Sequence, residues 1–260
     1  MSDALHVYRY GPQRPAQILA IHGLTGHGRR WETLATRHLS EFSVTAPDLL
    51  GHGRSSWDAP WTIDANVAAL AALVDAEAAG PVLVVGHSFG GAIALSLAAA
   101  RPDLVAGLVL LDPAVGLDGR WMREIADEMY GSPDYPDRAE AREEKVTGSW
   151  GEVDEAELER ELDEHLVAQP NGRVGWRISV PAMLSYWSEL TRPMALPRAG
   201  TPTALVRATR TDPAYVSDEL LAALGTRVGA DFTLLEWDCD HMVPLAKPAE
   251  TAALIRKLAS

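Results

Sequence analysis

The sequence predicts an α/β fold, with a mostly parallel central sheet flanked by helices and an inserted helical segment. Three observations carry this. Short apolar runs alternate with segments of helical period from Gln17 to Asp112, repeating at roughly the 30 residues that a strand–helix–strand unit needs. That rhythm lapses between about 114 and 200 and resumes at Thr203. Finally, 260 residues with 47% hydrophobic and 23% charged content have an ordinary globular composition. A chain of that length buries roughly three quarters of its unfolded surface.

Gln17 to Ile21 is a short apolar run closed by His22-Gly23, as expected of a strand buried on both faces. Trp31, Leu34, Ala35 and Leu39 follow at helical spacing. Phe42 to Ala46 alternates into Pro47-Asp48 and a Gly turn, Gly51-His52-Gly53. Ile63, Val67, Leu70, Leu73 and Val74 make one helix face, with Asp64 near its positive end. A strand over 81–86 leads into a helix over 90–100, and Leu108 to Leu111 forms a strand ending at Asp112-Pro113. Residues 114–200 contain no strand run and read as helices at 119–130, 137–146, 154–168 and 179–190. The third carries eight acids and one base between Glu152 and Glu164, with Leu158, Leu162 and Leu166 at i, i+4, the pattern of a solvated amphipathic helix. Strands at 203–208 and 232–237 and a helix at 247–258 complete the core. The organisation expected is a core of 1–113 and 201–260, with 114–200 as a helical cap.

Charge and cysteine usage exclude several classes. With 36 acids against 23 bases and a net charge of -13, the chain lacks the basic face that a phosphate backbone requires. A single cysteine, Cys239, rules out an internal disulfide framework and a Cys-rich zinc module. No apolar run approaches the roughly 20 residues of a membrane-spanning helix. The start, Met1-Ser2-Asp3-Ala4, has neither basic leader nor apolar stretch, so a cytoplasmic location is expected.

The chemistry concentrates at Gly86-His87-Ser88-Phe89-Gly90. By chance this Gly-x-Ser-x-Gly pattern arises in about one chain in ten of this length, so its position matters more than its presence. It falls where a strand must turn into a helix, and such a turn raises the serine hydroxyl above the carboxyl edge of the sheet. Serine is a weak nucleophile without a base, and the base needs an orienting acid. His241 follows the last strand in Asp238-Cys239-Asp240-His241 and is the expected base. His6, His38, His52 and His165 are less well placed, and His87 is expected to point away. For the acid, Asp212 after strand 203–208 is favoured, with Asp112 after strand 108–111 as its rival. No metal-ligand spacing occurs, and neither metal nor organic cofactor is expected.

Taken together, His22-Gly23-Leu24, Asp48-Leu49-Leu50-Gly51-His52-Gly53-Arg54-Ser55, the turn around Ser88, Asp212-Pro213 and Asp240-His241 resemble the α/β-hydrolase superfamily over essentially the whole chain. The order Ser…Asp…His matches as well. Many relatives carry Gly shortly before the acid, where this chain has Thr209-Arg210-Thr211, which counts against Asp212. The resemblance implies an oxyanion hole from the backbone N–H groups of Leu24 and Phe89. It also implies a structural role for Asp48 to Ser55, and likeness of the insertion to the caps of esterases, lipases and epoxide or C–C hydrolases.

A serine at the elbow, rather than aspartate, argues for carboxylic esters over epoxides or haloalkanes. The expected activity is therefore a serine carboxylesterase or lipase acting on small to medium acyl esters through an acyl-enzyme on Ser88. C–C bond hydrolysis, lactonase activity and a slow-turnover receptor stand as alternatives. Trp121, Trp150, Trp176, Met183, Tyr186 and Trp187 enrich the insertion. Packing of the cap's own core is their simplest role; for lining an acyl pocket, Trp187 and Met183, together with Met242 beside His241, are the candidates.

Overall fold

The computed structural model describes residues 5–259, so the Met1-Ser2-Asp3-Ala4 start lies outside the described residues. In chain order the core begins with β1 (Val7–Tyr10), β2 (Ile18–Ile21), β3 (Val44–Pro47), α1 (Ile63–Glu77), β4 (Val82–His87), α2 (Phe89–Ala100) and β5 (Val105–Leu111). An inserted segment holds α3 (Gly119–Gly131), α4 (Arg138–Thr147), α5 (Glu155–His165), β6 (Leu166–Ala168), β7 (Val174–Trp176) and α6 (Val180–Glu189). The core resumes with β8 (Thr203–Ala208), α7 (Asp218–Val228), β9 (Phe232–Trp237), α8 (Val243–Ala246) and α9 (Pro248–Ala259).

Among the described residues, seven strands form one sheet in the order β1-β3-β2-β4-β5-β8-β9. Every neighbouring pair is parallel except β1 with β3. Alternate residues of the central strands feed opposite cores, as the two-residue period of a strand requires. Val84, Leu108 and Leu110 face the layer containing α1 and α2. Leu83, Val85, Val109 and Leu111 face the layer containing Trp31, Leu34 and α9. Ile21 pairs with Gly86, His87 with Leu111, and Leu111 with Val206. The residues just beyond these pairs, His22, Ser88 and Asp112, therefore emerge together at the carboxyl edge.

The structure differs from the sequence expectation in several elements. Edge strand β1 and helix α7 were not anticipated. Residues 28–38 form a 3-10 turn (Gly28–Trp31) and a π-helical turn (Leu34–His38) rather than a regular helix. The helix expected over 154–168 stops at His165, and the chain enters a β6–β7 hairpin. Three-residue strands are too short to show an alternation.

The inserted helices are well delimited. Asp118, Asp137 and Asp154 each accept first-turn backbone N–H groups of α3, α4 and α5, a capping arrangement worth about 1 kcal/mol each. The segment lies against loops at the carboxyl edge. Gly53 N–H donates to Arg177 C=O at 2.9 Å, Ser179 N–H to Gly51 C=O at 2.8 Å, and Tyr186 Oη to Leu50 C=O at 3.0 Å. No helix among the described residues is long and apolar enough to cross a membrane.

Candidate active site

Ser88 sits between β4 and α2 with φ 54° and ψ -122°, a backbone conformation that non-glycine residues adopt only when their surroundings impose it. The surroundings here do so. The Ser88 N–H donates to Leu111 C=O at 3.1 Å, and its own carbonyl accepts from Gly91 N–H at 2.8 Å and Ala114 N–H at 3.1 Å. The flanking glycines permit the crossing. A Cβ on Gly86 would stand 2.4 Å from Gly90 O, and one on Gly90 would stand 2.3 Å from Ile21 O. The motif is therefore a steric requirement of the turn, and its product is a serine hydroxyl raised above the sheet edge.

His241 Nε2 lies 2.9 Å from Ser88 Oγ, and His241 Nδ1 lies 2.7 Å from Asp112 Oδ2. The acid that meets the imidazole is thus Asp112, which corrects the preference for Asp212. The reason is topological. β5 is the direct neighbour of β4, so its terminal residue emerges beside Ser88. Asp112 is turned inward at φ 43°, is only 1% exposed, and is anchored by Ala208 N–H on Oδ1 at 3.1 Å. Asp212 lies four positions past the end of β8 and is exposed. Its loop does reach the acid, but through the Thr211 hydroxyl, 3.4 Å from Asp112 Oδ2.

Neighbours that sequence reasoning assigned no part there surround His241. The Tyr215 ring packs on the imidazole with centroids 4.3 Å apart, and Trp121 of α3 packs on Tyr215 at 5.2 Å. Burial, then Asp112 and Asp240, push the Tyr215 phenol up to about 12, so it stays neutral. His87 was expected to point away, yet its Nε2 lies 2.8 Å from the His241 carbonyl. Burial, then His241, holds its pKa well below the ordinary histidine range, so His87 is neutral and donates that bond. Glu152, in the inserted segment, accepts the Asp240 N–H at 2.8 Å and pairs with Arg210. His87 fills a variable position of the Gly-x-Ser-x-Gly turn, and Tyr215, Trp121 and Glu152 belong to no short local motif.

Beside Ser88 runs the loop His22-Gly23-Leu24-Thr25-Gly26. A Cβ on Gly23 would stand 2.9 Å from Ser88 Cβ, so this loop passes directly against Ser88. His22 Nε2 accepts the Leu49 N–H at 3.0 Å, which leaves its proton on Nδ1, 2.8 Å from Gly23 O. Phe89 opens α2, where a first-turn N–H has no intrahelical acceptor and the helix dipole favours negative charge. The turn after β3 is tied to the same region, because the buried Asp48 carboxylate accepts Gly28 N–H at 2.7 Å and Arg54 N–H at 2.8 Å.

The acidic helix α5 is not merely solvated, contrary to the sequence reading. Leu158 and Leu162 are buried as expected, but so is Glu161, at 3% exposure. Its carboxylate takes Arg30 Nε at 3.0 Å and Arg30 Nη2, lies 2.9 Å from His27 Nε2, and pairs with Lys145 at 3.3 Å. Burial alone would raise the Glu161 pKa, but Arg30, then Lys145 and His27, pull it well below the carboxylate range. Burial lowers Lys145 to about 8 against the pull of Glu161, and its ammonium sits over the Trp150 and Trp176 rings. Glu164 pairs with Arg29 at 2.6 Å and with Arg54. The insertion is thereby fastened to the β2 and β3 loops by charge.

Of the candidates for lining an acyl pocket, Met183 is fully buried, Met242 nearly so, and Trp187 half-buried. All three pack in the apolar cluster that contains Phe89. Trp187 Nε1 is buried without a hydrogen-bond partner. Among the described residues no group of three or more His, Cys, Asp or Glu side chains is disposed to hold a metal ion.

Residues 18–254 match a model described as the alpha/beta hydrolase family. The chain is 68% identical over 252 residues to the Mycobacterium tuberculosis protein named lipase LipV, spanning 97% of this chain and 96% of that one. It is 33% identical over 143 residues to esterase Rv0045c of the same organism, spanning 52% of this chain and 47% of the relative. Among solved structures, E-2-(acetamidomethylene)succinate hydrolase superposes with a TM-score of 0.81 at 23% identity, covering 98% of this chain and 94% of that one. At that identity the likeness concerns the fold alone.

Proposed function

This chain belongs to the alpha/beta hydrolase family, and from that premise we propose that it is a serine hydrolase cleaving carboxylic esters through an acyl-enzyme on Ser88. The observation that carries the reading is the continuous relay from Ser88 Oγ through His241 to Asp112, at 2.9 Å and 2.7 Å. His241 Nε2 takes the hydroxyl proton as Ser88 Oγ attacks the ester carbonyl carbon. Asp112 keeps the other proton on Nδ1 and stabilises the imidazolium that forms. The carbonyl oxygen becomes an oxyanion received by the N–H groups of Leu24 and Phe89, each worth roughly 2.7–4 kcal/mol of transition-state stabilisation. The imidazolium then returns its proton to the departing alcohol. Water, activated by the same histidine, releases the acid.

Substrates of small to medium acyl length, including acylglycerols, suit the site. Ser88 is 8% exposed, so the reacting centre is enclosed. A chain with a net charge of -13 favours a neutral ester over a polyanionic one. The names of the relatives, a lipase and an esterase, agree with this class. Segment 114–200 acts as a cap in this reading, with Trp187, Met183 and Met242 shaping the acyl side. The test is steady-state hydrolysis of p-nitrophenyl esters from acetate to dodecanoate by wild type and Ser88→Ala. Turnover should fall by about 10⁴ or more with the fold retained, and fluorophosphonate labelling should vanish. A folded Ser88→Ala protein that keeps most of its ester turnover would end the proposal.

A further inference from the structure

The loop bearing Leu24 is held by residues that belong to no hydrolase motif. Thr25 has φ 57°, an unfavourable conformation for a β-branched residue, so its surroundings must hold it there. The Thr25 carbonyl accepts two hydrogen bonds, from Arg30 Nη2 at 3.0 Å and from His165 Nε2 at 3.0 Å. His165 is the last residue of α5, and Arg30 is gripped through Nε and Nη2 by Glu161 one turn earlier on the same helix. All three side chains are buried: 8% exposed for Arg30, 2% for Glu161, and 1% for the whole of His165.

We infer that Arg30 and His165, with Glu161 holding Arg30, are positioning residues that aim the Leu24 N–H through two peptide planes joined by a hydrogen bond. A peptide unit is planar and trans, so fixing its carbonyl fixes the opposite direction of its N–H. The Thr25 carbonyl and the Gly26 N–H belong to one such unit. That N–H donates to Gly23 O at 3.1 Å. The Gly23 carbonyl, which also accepts from His22 Nδ1 at 2.8 Å, shares its plane with the Leu24 N–H. Holding Thr25 O therefore holds Gly26 N–H, which holds Gly23 O, which sets where Leu24 N–H points. The inserted helix α5 thus contributes to oxyanion stabilisation without touching substrate. This inference rests on the serine-hydrolase reading above.

The variants are His165→Phe, which keeps a ring where the imidazole packs beside the His27 and Trp176 rings, centroids 4.6 Å and 6.1 Å away, but loses the donor, and His165→Gln, which keeps a donor. Glu161→Gln is the second handle, replacing one of the two oxygens that grip Arg30 by a donor, should His165→Phe fail to fold. Each is assayed with p-nitrophenyl butyrate and with an alkyl trifluoromethyl ketone, whose adduct on Ser88 places its oxygen in the oxyanion hole. In His165→Phe or Glu161→Gln, kcat should fall about tenfold to a hundredfold, the range for a displaced rather than deleted donor. The ketone should weaken by a similar factor while KM stays within about twofold. His165→Gln should recover most of the loss. Unchanged kcat and ketone affinity in a folded variant would overturn the inference, as would a rise in KM alone. Ser88→Ala, run in parallel, separates the two claims. If it is inactive while the His165 and Glu161 variants match wild type, only the positioning role falls; if it is active, both fall.

Discussion

Replacing Asp112 by Asn tests which acid serves His241, and the structure fixes how the amide must sit. Asp112 Oδ1 accepts the Ala208 N–H at 3.1 Å, and Oδ2 faces His241 Nδ1 at 2.7 Å. In Asp112→Asn the amide oxygen must stay on the Ala208 side, because an NH₂ group there would oppose a buried donor. The NH₂ group is then forced toward His241 Nδ1, and the imidazole answers by moving its proton to Nε2. That proton points at Ser88 Oγ, where an acceptor is needed. The loss is therefore one of tautomer rather than of shape, for which about 10⁴ in kcat is the expected size, equivalent to about 5.5 kcal/mol of barrier. Asp212→Asn touches an exposed side chain and should leave kcat within about twofold. The assay is kcat and KM for p-nitrophenyl butyrate on purified variants, with thermal unfolding as the check on folding. A large loss in Asp212→Asn with a small one in Asp112→Asn would refute the reasoning.

Two other perturbations follow from the same geometry. Trp187→Ala opens space beside the cluster holding Met183, Met242 and Phe89. The ratio of kcat/KM for octanoate over acetate esters should rise at least about tenfold, since one methylene in a pocket is worth a factor of that order; an equal loss at every chain length would assign Trp187 to packing. The depressed Glu161 pKa predicts acid sensitivity. Near the ordinary carboxylate pKa the unfolded chain binds more protons than the native one, so the Glu161 contribution is present above that pH and lost as pH falls through it toward the lower native value. Denaturant unfolding of Glu161→Gln from about pH 6 to about pH 3 should give a flatter acid limb than wild type; parallel limbs would remove Glu161 as a source of acid lability.

Much of this molecule was legible because local sterics constrain sequence. Gly86 and Gly90 are glycines because backbone oxygens occupy the space of a Cβ, so the elbow announces itself in five residues. The buried runs of β2, β4 and β5 announce the sheet in the same way. His241, which the structure brings within 2.9 Å of Ser88 Oγ, stands out in the sequence because it follows a strand, β9, whose boundaries are clear. The acid was misplaced because strand ends at Asp112 and Asp212 look alike in sequence. What separates them is sheet order, β4-β5-β8, and that is a property of long-range pairing. The π-helical turn at Leu34–His38 and the β6–β7 hairpin were missed because neither carries enough residues for a period. The charge on α5 misled for a different reason. Glu161 is distinguished from its acidic neighbours only by Arg30, His27 and Lys145, and two of these lie more than a hundred positions away. Tyr215 and His87 act on His241 through packing and a carbonyl bond, so no spacing rule marks them.

The central claim is a covalent acyl group on Ser88, and trapping it tests that claim most directly. Wild-type protein mixed with p-nitrophenyl butyrate, quenched in acid within the first turnovers and digested, should yield the peptide containing Gly86 to Gly90 with one added butyryl mass on Ser88. The adduct should decay on dilution into neutral buffer as butyrate appears. Unmodified Ser88 peptide in samples that are turning over ester, with an adduct elsewhere or none under conditions where p-nitrophenol is released in a burst, would contradict the account.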